Sequence, residues 1–61
     1  MLSDKEEDRI DMMFKFMEYE KLSDWEDGFV VSIEEQYENR GTMTRAQYEK
    51  LEEVFKRAAE R

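Results

Sequence analysis

Arg40-Gly41-Thr42-Met43-Thr44-Arg45-Ala46-Gln47-Tyr48 is the stretch whose reading decides the fold. Arg40 followed by Gly41 reads as the end of a helix, with glycine where a left-handed residue is wanted. Thr44 and Gln47 then form a capping box: the hydroxyl accepts an orphan backbone N–H of the first turn, and the longer side chain reaches back to the cap. Met43 before the cap and Tyr48 after it are spaced to form a hydrophobic staple. One helix therefore stops here and another starts.

Outward from this turn, both flanks carry helical periodicity. Leu22, Trp25, Phe29, Ile33 and Tyr37 recur three or four apart, with Val30 beside them. On the other side Tyr48, Leu51, Val54, Phe55 and Ala58 form one face, and charged residues cover the rest. The two segments predict an antiparallel hairpin around Gly41. Two further capping boxes, Ser3-Asp4-Lys5-Glu6 and Ser23-Asp24-Trp25-Glu26, mark other helix starts, and a chain with two glycines and no proline has few breaks. The expected architecture is all-α: a three-helix mini-domain, with helices over 24–40 and 45–59 making the hairpin and an N-terminal helix over 4–21. Residues 1–61 form a single helical domain in this reading.

The N-terminal helix is unusual in having two apolar stripes. Ile10, Met13, Phe14 and Met17 form one, while Met12, Phe16 and Tyr19 lie on nearly the opposite side. Only one can face the hairpin unless the helix sits deep in the groove between its partners and buries both. A Met-aromatic patch left in water usually marks an interaction site, and Met suits surfaces that must adapt. Met12, Phe16 and Tyr19 are therefore expected to contact a second copy or another protein.

Sixty-one residues allow only a thin core, and a chain without Cys or His lacks the usual staples of a small scaffold. Association, including a homodimer, is an expected source of stability. The segment Met1 to Asp8 turns acidic at once without an apolar h-region, so neither a secretion signal nor a membrane partner is expected, and the location read from this is cytoplasmic.

A net charge of −7 argues against direct nucleic-acid binding, where Lys and Arg must displace counterions from phosphates. The charge is uneven: residues 1–39 hold 13 acids and 4 bases, residues 40–61 hold 4 acids and 6 bases. The acids Glu6, Glu7, Asp8, Asp11, Glu18 and Glu20 offer the N-terminal half to a basic surface, though acidic surfaces also simply keep small proteins soluble.

No catalytic residue, cofactor site or metal site is expected. Without His or Cys the commonest acid-base and nucleophilic groups are missing, and 17 acids in 61 residues make carboxylate pairs such as Glu34 with Glu38, or Glu49 with Glu52, inevitable. Gly28 and Glu34 have the spacing of a calcium loop, but Ser23 and Trp25 stand where oxygen ligands are required. Neither glycine lies in a phosphate-binding motif. Gly28 inside a helix costs roughly 1 kcal/mol relative to Ala, so it marks either a close helix crossing or an exposed neutral position. Trp25 is expected to cap the core with Phe29 beside it, the alternative being an interface anchor.

Leu22-Ser23-Asp24-Trp25-Glu26, Phe29-Val30, Ser32-Ile33, Gln36, Arg40-Gly41, Thr44, Gln47, Leu51-Glu52 and Phe55 together resemble a short helical module of bacteriophage replication and recombination proteins. The pattern is similar to that of the small acidic companion of the T-even phage recombination helicase UvsW. The resemblance spans 22–55 and carries over no catalytic residue. It implies a phage-encoded helical hairpin, acting in the host cytoplasm as an accessory to DNA-processing enzymes through protein contact. Three readings follow: an accessory interaction module, an acidic DNA-mimicking inhibitor of a host nucleic-acid enzyme or defence protein, and a self-associating homodimer.

Overall fold

A computed structural model describes residues 2–61 of the chain. Helices α1 (Asp4–Phe16), α2 (Asp24–Arg40) and α3 (Arg45–Glu60) follow one another, with a 3-10 turn at Tyr19–Lys21, and the described residues contain no strand. The all-α three-helix architecture expected from the sequence is the one observed. The helices run up, down and up, and α3 packs against both of the others. Ile10, Met13, Val30, Leu51 and Val54 have essentially no exposed surface and form the centre of the core.

All three capping boxes close as expected, each with the hydroxyl accepting the N3 amide and the N3 side chain accepting the N-cap amide. Each N3 side chain also reaches across the fold. Glu6 accepts Arg45, Glu26 accepts Arg61, and Gln47 exchanges paired amide hydrogen bonds with Gln36 at 3.0 and 3.2 Å. The residue before each cap is apolar and turns inward: Leu2 and Met43 are buried and Leu22 is half-buried. Helix starts and tertiary packing are thus set by the same few residues. Gly41 closes the hairpin at φ 74°, and its N–H donates to the Tyr37 carbonyl at 2.7 Å. A side chain at that φ would be strained, which accounts for glycine there.

The N-terminal helix differs from expectation at its end. It stops at Phe16, Met17 is extended at ψ 129°, and the chain turns through residues 19–21 before α2. A helix reaching residue 21 would leave only Leu22 and Ser23 to reverse the chain, whereas stopping at Phe16 leaves seven residues. The helical preference forgone is tenths of a kcal/mol per residue. Antiparallel packing of α2 is worth far more, since each buried large apolar side chain contributes about 1.5–3 kcal/mol.

Trp25 also departs from expectation: it is 60% exposed and does not cap the core. The inward line of α2 runs through Glu26, Val30 and Ile33, rotated from the line through Trp25 and Phe29. Glu26 lies inward on that line, and its carboxylate accepts from the Arg61 guanidinium at 2.6 and 3.1 Å. Gly28 faces outward, and a Cβ built there meets no atom within 4 Å, so no close helix crossing explains it.

Candidate functional site

Seven cations, Arg9, Lys21, Arg45, Lys50, Lys56, Arg57 and Arg61, are engaged in ion pairs with Glu52, Glu18, Glu6, Glu53 and Glu26. These pairs lie on α3, on the seams that join it to α1 and α2, or at the 3-10 turn. Twelve acids among the described residues enter none, including Asp4, Asp24, Glu35, Glu38 and Glu49, and five of the twelve, Glu7, Asp8 and Asp11 of α1 and Asp27 and Glu34 of α2, lie near Tyr37 or Tyr19.

Two tyrosines locate those free carboxylates. Burial raises the Tyr37 hydroxyl pKa, and Asp11, Glu7 and Asp8 add to the rise. Burial likewise raises that of Tyr19, with Glu34 and Asp27 as the next causes. The five acids therefore border the two tyrosines along the α1/α2 side of the molecule. Tyr37 is fixed there by Phe14, whose ring centroid lies 6.2 Å away. Val31, 49% exposed, stands between Asp27 and Glu34 on the same helical line.

The nine residues singled out from the sequence fall into separate groups. Glu7, Asp8, Asp11 and Tyr19 belong to the α1/α2 face. Met12 is half-buried against the core. Phe16 is 60% exposed with the Lys15 ammonium 5.5 Å from its ring. It stands two turns beyond Arg9, which pairs with Glu52, so it sits on the α3 side of α1. The second stripe is thus divided where α1 ends. Glu18 pairs with Lys21 at 3.0 Å, and Glu20 is exposed in the 3-10 turn.

Glu6 is committed to Arg45, and that guanidinium together with the Ser3 amide holds its carboxyl down at about 2. Arg61 and the Ser23 amide do the same for Glu26. These two carboxylates are already paired across the fold and are poor candidates for binding a partner.

Asp27, Val31 and Glu34 were not singled out from the sequence, although their 4-and-3 spacing was a usable signal. The Arg61 to Glu26 contact had none, since 35 positions separate the two residues.

Among the described residues no group of three or more His, Cys, Asp or Glu could hold a metal ion, and no buried side-chain nitrogen or oxygen lacks a hydrogen-bond partner. No helix is long and apolar enough to cross a membrane. Comparison with protein-family models, curated proteins and solved structures gives no match.

Proposed function

We propose that the chain is a non-enzymatic protein-protein interaction module that offers the α1/α2 face to a basic surface of another protein. The observation that carries this reading is the group of free carboxylates, Glu7, Asp8, Asp11, Asp27 and Glu34, beside the exposed Tyr19 and Val31. Charge there directs encounter, and the apolar side chains give contact energy that salt does not screen. The resemblance of residues 22–55 to the phage module supplies the partner class: a DNA replication, recombination or repair enzyme, with this chain as a phage-encoded accessory. The test is a calorimetric titration against a purified T-even phage recombination helicase, with and without competing duplex DNA. A complex that persists above about 0.1 M salt, where the Debye length is about 10 Å, and is indifferent to DNA supports the module. Absence of binding overturns this partner assignment.

The free acids also favour a second reading, in which they imitate phosphates in the basic groove of a host nucleic-acid enzyme. Binding would then fall steeply with salt and DNA would compete. A homodimer has less support. A standard interface buries about 800 Å² per partner, close to a fifth of this protein's 4287 Å² surface. The exposed apolar residues are dispersed: Trp25 and Val31, for example, are about 120° apart around α2.

A further inference from the structure

Resting on the reading of the α1/α2 face as a partner surface, we infer that this face selects arginine over lysine. Its occupant is then an arginine-bearing segment of another protein, with guanidinium groups set against the carboxylates beside Tyr19 and Tyr37. The fold already contains one such unit. At the seam of α1 and α3 the Arg45 guanidinium donates to both carboxylate oxygens of Glu6, and it lies 5.8 Å from the Tyr48 ring centroid. A planar guanidinium can pair a carboxylate through two parallel bonds while resting on an aromatic ring, and a compact, strongly hydrated ammonium matches that arrangement less well.

The seam of α1 and α2 has the tyrosines and the carboxylates but not the arginine. Tyr37 lies near Asp11, Glu7 and Asp8, and Tyr19 near Glu34 and Asp27; after burial, acids alone raise these two hydroxyls. At Tyr48, where burial again leads, Glu52 and Glu6 are opposed by Arg9 and Arg45. Tyr19 is 38% exposed, so its ring is open to a partner.

The lysines and arginines leave the charge of this face uncompensated. Seven of the ten are paired with Glu6, Glu18, Glu26, Glu52 and Glu53. Of the other three, Lys5 is one turn before Arg9, on the line that pairs with α3. Arg40 lines a groove on the far side of α2 with Ser32, Glu35 and Asn39. Lys15, one turn beyond Asp11, holds its ammonium 5.5 Å from the Phe16 ring. Asp4 and Glu38 stand a turn beyond the five acids already named, on the same helical lines, so seven carboxylates face one nearby cation. A basic segment is the complementary occupant, and the tyrosines turn that complementarity into a preference for guanidinium.

The probes are three capped synthetic peptides: Arg-Ala-Arg-Leu-Arg-Ala-Arg, its counterpart with lysine for every arginine, and its counterpart with citrulline, which keeps the shape and loses the charge. In calorimetric titrations of the full chain the arginine peptide should bind about tenfold tighter than the lysine peptide of equal charge, and the citrulline peptide should not bind. Amide shifts in nuclear magnetic resonance spectra should gather at Asp27, Val31, Glu34 and Tyr37. Tyr19→Leu should remove most of the preference for arginine, while Asp27→Asn with Glu34→Gln should weaken both charged peptides about tenfold. Circular dichroism checks that each variant is folded, and the wild-type shift map decides the site if Tyr19→Leu is not. Equal affinity for the two charged peptides, or an unchanged preference in Tyr19→Leu, overturns the arginine selectivity and leaves the face as a general site for basic surfaces. Shifts gathered at Trp25 or along α3 overturn the placement. Binding of neither charged peptide overturns the partner-surface reading as well.

Discussion

Two corners join the three helices, and they are built by different means. The corner at Gly41 is local: a left-handed glycine, the Thr44 cap and the Met43 side chain lie within four residues. The corner between Phe16 and Ser23 is held from across the molecule. Arg61 clasps Glu26, its guanidinium donates to the Lys21 carbonyl at 2.6 Å, and Lys21 Nζ donates back to the Arg61 carbonyl at 3.0 Å. The first corner is specified by its own few residues, with Met43 turned into the core. The second exists only when α3 has already docked.

Both corners depend on the core, so the largest effect comes from removing its centre. Leu51→Ala should cost about 2–5 kcal/mol, in a domain whose size supports only about 3–5 kcal/mol of stability in total. Circular dichroism should show a largely unfolded chain at room temperature. Gly41→Ala attacks the local corner alone and should cost about 1–2 kcal/mol by forcing a side chain into the left-handed region, read as a lower denaturant midpoint with the topology kept. Gly28→Ala touches neither corner and should raise stability by roughly 1 kcal/mol.

Arg61→Ala sharpens the contrast between the corners. It leaves the buried Glu26 carboxylate without its guanidinium, so amide exchange should quicken at Leu22 and Asp27. The Gly41 and Tyr48 amides, bonded at 2.7 and 2.9 Å within the other corner, should keep their protection. Equal quickening at both would mean that the corners are one cooperative unit.

Legibility from sequence follows the same division. Capping boxes, a C-terminal glycine and three-four periodicity act over a few residues, so the hairpin and all three helix starts could be read in advance. The end of α1 could not, because nothing between Phe16 and Lys21 is a helix breaker; the break answers the need to reverse the chain. Trp25 was misjudged for a related reason. Its spacing with Phe29 and Ile33 marks an apolar line, but α2 is rotated so that Val30 and Ile33 are buried, and Glu26, matched by Arg61 from 35 positions away, comes inward with them. On the functional side, the acids of α1 were visible as composition. Which of them are free depended on where the α3 cations landed, and this separated Glu7, Asp8 and Asp11 from Glu6.

The smallest effect is the response to acid. Glu6 and Glu26 are lowered from an ordinary 4.5 to about 2 by their arginines. A carboxyl with a depressed folded pKa stabilises fully above its unfolded value, and that contribution is lost as pH falls toward the folded value. The melting temperature should therefore decline between about pH 4.5 and 2. Glu6→Gln with Glu26→Gln should flatten that decline while lowering the plateau near neutrality.

The account rests on an isolated chain whose exposed side chains are free for a different protein. Solution mass by light scattering, across concentration and at low and high salt, tests this most directly. The expected result is a monomer of 7.5 kDa under all conditions, with Phe16, Tyr19 and Trp25 accessible. A salt-resistant species of twice that mass would contradict it, because self-association would then be covering the surfaces assigned to partners.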